Sequence, residues 1–130
     1  MSAQTGTTCV LIVDDDGNMR TLIRRMLARM HIEKIIEADG ARQALDQVET
    51  ASTVIDLVIC DWNMPGMSGV ELFTRIHALR PDLPFLMLTG RADPDSVIAA
   101  KKAGLTAYIA KPVSPAQLQA KVQLLAGRTN

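Results

Sequence analysis

A handful of residues in this chain could share one chemistry: Asp14, Asp15, Asp16, Asp61, Thr89 and Lys111. Each stands at the end of a short apolar run. Asp14–Asp15–Asp16 follow Cys9–Val13, Asp61 follows Leu57–Cys60, Thr89 follows Phe85–Leu88, and Lys111 follows Ala107–Ala110. Ending a buried run on a carboxylate is costly, because a desolvated charge needs compensation. The stretch after Asp61 (Trp62, Asn63, Met64, Pro65, Gly66) allows a simple turn, for which Asp, Pro and Gly are common. If instead the fold gathers the acidic groups, their mutual repulsion raises their pKa values. A hard divalent cation bound through oxygen removes that penalty. A lysine among the carboxylates neutralises them or holds an anionic group, and a threonine hydroxyl donates to an anionic oxygen. Such a set suits phosphoryl transfer, which needs mainly positioning and charge stabilisation. Aspartate can itself be the covalent acceptor, as an acyl phosphate.

Strands and helices must bring these residues together. The apolar runs, with Ile35–Ala38 as one more, are too short for helices and read as strands buried on both faces. Helical patterns lie between them. Met19, Leu22, Ile23, Met26, Leu27 and Met30 form one apolar face. Ala41, Ala44, Leu45 and Val48 mark a second helix, and Leu72, Ile76 and Leu79 a third. A fourth, about Pro94 to Ala103, has the weakest stripe, with Val97, Ile98 and alanines. Leu118, Val122 and Leu125 mark the last.

Boundary signals agree with this parse. Ser68–Glu71 and Ser114–Gln117 are capping boxes. Pro94 and Pro115 stand at first helical positions, behind Asp93 and Ser114. Gly104 suits a left-handed helix stop. This alternation predicts a single α/β domain, a (βα)5 doubly wound parallel five-stranded sheet. All strand C-terminal ends then lie along one edge, where open α/β sheets bind ligands.

Bulk properties narrow the function. The 130 residues fit one domain, with 48% hydrophobic and 22% charged residues. Aromatics are only 3%, so the core is aliphatic. Lys plus Arg and Asp plus Glu both number 14, which gives no electrostatic case for nucleic acid or an anionic membrane. No apolar run approaches the ~20 residues of a membrane span. Met1–Thr8 lacks the basic and apolar segments of a secretory signal and reads as a frayed tail. Cys9 and Cys60 lie inside apolar runs and read as buried, reduced core residues of a cytoplasmic protein. His31 and His77 have no metal-ligand partners nearby and read as surface residues.

From "LIVDDD", "DWNMPGMSG", "LMLTG" and "AYIAKP", in that order, the sequence resembles the receiver domain of two-component response regulators, most of all the stand-alone chemotaxis (CheY-like) type. The resemblance covers roughly Thr8 to Ala126. It implies the flavodoxin-like strand order 2-1-3-4-5, with residues 1–7 and 128–130 as tails and 8–127 as the domain. It implies Asp61 as phosphoacceptor, supplied by a phosphohistidine of a sensor kinase or phosphotransfer protein. Asp15 would bind Mg²⁺ (or Mn²⁺), with Asp14 directly or through water, Asp61, and the Asn63 backbone carbonyl. Thr89 and Lys111 would contact the phosphoryl group, Lys111–Pro112 would be a cis peptide, and Tyr108 would change rotamer with Thr89 on activation. Arg91 departs from the small or acidic residues often found two positions after that threonine, and with Asn63 bears on the dephosphorylation rate. Asp16 is a helix-cap candidate. A monomer is expected. No DNA-binding segment follows the last helix, so output would run through altered partner binding, at the face of the fourth helix, last strand and last helix. Lys101, Lys102, Tyr108 and Gln117 would supply it. The resemblance is compatible with three targets: a flagellar motor, a phosphate sink or a kinase.

Rival readings are weaker. Asp14–Asn18 partly mimics the nucleophile loop of a haloacid-dehalogenase-type phosphatase, but no Asp or Glu follows Lys111 and there is no cap domain. An EF-hand fails because the twelfth position from Asp14 is Arg25. A receiver-shaped module that is never phosphorylated would typically lack one of the acidic, Thr or Lys positions, all of which are present here.

Overall fold

The computed structural model describes residues 8–50, 55–90, 94–105 and 107–126. The expected tails at 1–7 and 128–130, the helix cap at Asp93, and Arg91 lie outside the described residues. So does the Val97 side chain.

Strands and helices alternate throughout: β1 (Cys9–Val13), α1 (Gly17–Ala28), β2 (Lys34–Ala38), α2 (Ala41–Thr50), β3 (Leu57–Asp61), α3 (Gly69–Leu79), β4 (Phe85–Thr89), α4 (Pro94–Lys102), β5 (Tyr108–Ala110) and α5 (Pro115–Ala126). The sheet order is β2-β1-β3-β4-β5, and every pairing is parallel. This is the expected flavodoxin-like α/β architecture.

Side chains alternate across a strand, so each central strand feeds two cores. Leu11, Val13, Val58, Cys60, Phe85 and Met87 face α2, α3 and α4, meeting Ala44, Leu72, Phe73, Ile76 and Ala100. Val10, Ile12, Ile59, Leu86 and Leu88 face α1 and α5, meeting Ile23, Leu27, Leu118, Val122 and Leu125. Each fully buried aliphatic side chain contributes roughly 1.5–3 kcal/mol of transfer free energy. Both cysteines are buried and free, as expected.

The caps form as the sequence predicts. Ser68 Oγ accepts from the Glu71 N–H at 3.2 Å and Ser114 Oγ from the Gln117 N–H at 3.0 Å. Asp16 caps α1, accepting from the Asn18 N–H at 2.9 Å. Gly104 takes φ +106°, a conformation that only glycine adopts without strain.

Some expectations fail for reasons of position. β1, β3 and β4 are buried along their length, but β2 and β5 are partly exposed. They are the sheet edges, with a neighbour on one side only. Leu79, expected in the α3 stripe, is 51% exposed, while Phe73 at 4% packs in the core. α3 ends at Leu79, and the following loop inserts Leu83 instead. Leu22 is 44% exposed, because it stands one step around the helix from the buried Ile23. On α4, Ile98 is 51% exposed and Ala100 is buried, so this helix has little apolar anchorage among its described side chains.

Candidate functional site

Parallel pairing aligns the strand ends. Val13 is opposite Cys60, Asp61 opposite Leu88, and Thr89 opposite Ala110. The next residue along each line is polar, so Asp14, Asp61, Thr89 and Lys111 meet at one edge of the sheet. Asp14 and Asp61 are buried, 3% and 7% exposed, and Thr89 is fully buried. Asp15 is exposed.

One carboxylate oxygen from each of Asp14, Asp15 and Asp61 lies within 4.8 Å of the other two. Lys111 Nζ donates to Asp61 Oδ1 at 2.9 Å, and its backbone N–H donates to the Thr89 carbonyl at 2.7 Å. The Lys111–Pro112 peptide is cis. Burial pushes the Asp14 carboxyl up to about 6. A hydrogen bond from the Asp16 N–H opposes this shift, and the Asp61 charge adds to it. An all-oxygen set with a raised pKa, open to water on the Asp15 side, fits a hard cation such as Mg²⁺, which keeps several waters of its own.

The loop after β3 is held tightly. The Trp62 N–H donates to the Leu88 carbonyl and the Gly69 N–H to the Trp62 carbonyl, both at 2.8 Å. A Cβ on Gly69 would stand 2.6 Å from the Asp61 carbonyl oxygen and 2.7 Å from Met87 Sδ. Only glycine lets α3 begin this close to the acidic residue. Trp62 is 7% exposed, and Asn63 is exposed.

Tyr108 is 37% exposed on the edge strand β5. It pairs with Met87, which lies two residues before Thr89 on β4, so Tyr108 and Thr89 share a face of the sheet. Lys101, Lys102 and Gln117 are exposed on the helices flanking that strand. His77 is exposed as expected, and it stacks on Phe73 with ring centroids 5.3 Å apart.

Sequence reasoning missed Arg20, Glu37 and Gly69. Gly69 was legible only as part of a capping box. Glu37 left one signal, an acidic residue inside an otherwise apolar strand.

The family model for the response regulator receiver domain matches residues 10–123. The chain belongs to the response regulator receiver family. This receiver domain is 36% identical over 126 residues to the chemotaxis protein CheY of Pseudomonas aeruginosa, covering 93% of this chain and 98% of that one. It is 37% identical over 115 residues to CheY-3 of Vibrio cholerae, covering 87% of each. Among solved structures it resembles a CheY-like receiver domain protein from Methanospirillum hungatei, with TM-score 0.85 and 31% identity, covering 93% of this chain and 94% of that one. It is thus a receiver domain of the CheY type. Among the described residues, no helix is long and apolar enough to cross a membrane.

Proposed function

We propose that this receiver domain takes a phosphoryl group onto Asp61 from a phosphohistidine of a sensor kinase or phosphotransfer protein. The observation that carries the reading is Lys111, whose ammonium lies 2.9 Å from Asp61 Oδ1 beside two further carboxylates. An Asp61 oxygen attacks phosphorus while the P–N bond of the donor breaks. The donor imidazole keeps the electron pair and takes up a proton, leaving an aspartyl phosphate. Asp14, Asp15, Asp61 and the Asn63 carbonyl would hold Mg²⁺ or Mn²⁺, which neutralises the charge on the phosphoryl oxygens. Lys111 exchanges its carboxylate partner for a phosphoryl oxygen, and the Thr89 hydroxyl donates to another.

The domain works as a signalling device in the cytoplasm, as a monomer spanning residues 8–127, and not as an enzyme acting on an outside substrate. Phosphate draws the Thr89 hydroxyl toward Asp61, and the Tyr108 ring turns into the space vacated. A partner protein then reads α4, β5 and α5, through Lys101, Lys102, Tyr108 and Gln117. Asn63 and Arg91 tune the lifetime of the phosphate.

Mass spectrometry after treatment with acetyl phosphate and Mg²⁺ tests this. One added phosphate is expected, absent in Asp61→Asn. No mass gain in the unaltered chain would overturn the reading in favour of a binding module that is never phosphorylated. Equal labelling of Asp61→Asn would overturn the choice of acceptor.

A further inference from the structure

An ion cluster beside the acidic residues takes no part in the chemistry described above. From α1, Arg20 Nη1 donates to the Asp14 carbonyl at 2.6 Å, and its Nε donates to Glu37 Oε1 at 2.9 Å. Arg24, one turn further along, donates to Glu37 Oε2 at 2.6 Å. Glu37 immediately precedes Ala38 on β2, and the Ala38 carbonyl accepts the Asp14 N–H at 3.1 Å. The backbone of Asp14 is therefore gripped at both ends. Its N–H is held by the β2 main chain, and its C=O by a guanidinium anchored on the same strand.

We propose that Arg20 is a positioning residue for the metal-binding carboxylates Asp14 and Asp15, and that Glu37 is the anchor that makes it one. The inference rests on the metal site of the preceding section. The Asp14 carbonyl belongs to the peptide that leads into Asp15, so fixing its direction fixes how both side chains leave the chain. Asp15 is exposed and has no burial to orient it. Asp14 has a second constraint of its own, the Asp16 N–H on Oδ1 at 2.9 Å.

The residue types suit this task. Hydrogen bonds from a charged donor are the strong ones. A guanidinium serves two acceptors at a fixed angle, and an ammonium does not reproduce that fork. The Arg20 side chain is 20% exposed, against 49% for Arg24, so Arg20 is the more enclosed of the two. Desolvation raises the Glu37 pKa, but the hydrogen bonds and charges of Arg20 and Arg24 outweigh it and hold the carboxyl below its usual range. Glu37 thus stays ionised near neutral pH and offsets the charge of Arg20. The cluster can orient the acidic loop without adding an uncompensated cation against Mg²⁺.

The bland alternative is a pair that only ties α1 to β2. The two readings differ in sign. A bystander cation near the carboxylates disfavours Mg²⁺, so its loss would tighten binding. A positioning group, once lost, weakens it.

The test is Mg²⁺ titration of the full chain by calorimetry and by fluorescence of Trp62, the single tryptophan. Thermal melts of every variant run alongside. Arg20→Ala is expected to weaken Mg²⁺ affinity roughly tenfold, the lower end of the ~10–100-fold cost of losing a partner that orients a metal ligand. Arg20→Lys should not restore it. Glu37→Gln should weaken affinity in the unaltered background and add nothing in Arg20→Ala. Arg75→Ala removes a distant cation and should leave affinity unchanged. Should Arg20→Ala not fold, Arg20→Lys decides the matter, because it keeps the charge and loses only the fork. Unchanged or tighter binding in the Arg20 variants, or a Glu37 effect that simply adds, overturns the inference alone. An unaltered chain that binds no Mg²⁺ overturns the metal reading, and this inference with it.

Discussion

Lys111 Nζ and Asp61 Oδ1 are 2.9 Å apart although 50 residues separate them in the chain. The Asp61 side chain is 9% exposed and that of Lys111 29%, so the pair is partly shielded from water. The ammonium sits where a phosphoryl oxygen would have to be held. On the proposed reading it would compete with a metal for Asp61 before transfer and stabilise charge after it.

Lys111→Met should separate these two roles. Mg²⁺ binding should be kept or tightened, because a competing cation has gone. Labelling by acetyl phosphate should slow by roughly 100-fold, the scale of losing one preorganised donor. Stopped-flow fluorescence of Trp62 follows both steps. Labelling at the unaltered rate would remove Lys111 from the chemistry.

Asp14 gives a pH dependence of stability. Burial pushes its carboxyl up to about 6 in the fold, from an ordinary value near 3.8. Between those values the folded state holds more protons than the unfolded one, so stability is lost as pH rises through this window. Without metal, Asp14→Asn should therefore be more stable than the unaltered chain at pH 7, by about 2 kcal/mol, and no more stable at pH 3.5. Mg²⁺ should narrow the gap at pH 7, since it stabilises only a fold that keeps its ligands. Urea melts at both pH values, with Mg²⁺ or a chelator, check this. A gap that is the same at both pH values would contradict it.

Gly69→Ala should be costly for so small a change. Its Cβ would meet backbone atoms, the Asp61 carbonyl oxygen at 2.6 Å and the Trp62 Cα at 3.0 Å, which cannot swing aside like a side chain. Overpacking of this kind costs about 1–3 kcal/mol. Denaturant unfolding should show that loss, with altered Trp62 emission in the folded state. A stability change below about 0.5 kcal/mol, the range of an ordinary surface substitution, would show that the loop yields easily.

The switch reading makes a spatial prediction. Ile98 lies open to solvent on α4, and weakly anchored elements are where local opening is cheapest. Beryllofluoride, a phosphoryl mimic, should move NMR resonances across residues 94–118 as well as around Asp61. Tyr108→Ala should confine the shifts to the neighbourhood of Asp61. If the unaltered chain already shows only local shifts, Tyr108 is a static aromatic and the output face lies elsewhere.

The sequence alone determined the succession of strands and helices, because burial periodicity and caps are local properties. Ser68, Ser114, Asp16 and Gly104 each read correctly from a few neighbours. It also singled out Asp14, Asp61, Thr89 and Lys111, since a polar group ending an apolar run needs a reason to be there. The strand order came from resemblance to a family and not from the residues themselves. Only the tertiary structure decided what distant segments do to one another. It left β2 and β5 half-exposed as sheet edges, turned Leu79 outward, and brought α3 so close to Asp61 that Gly69 admits no side chain. It also set Arg20 between Glu37 and the Asp14 carbonyl, a contact with no periodic signature. Such contacts depend on where two separately specified elements meet, and no local pattern in either one records it.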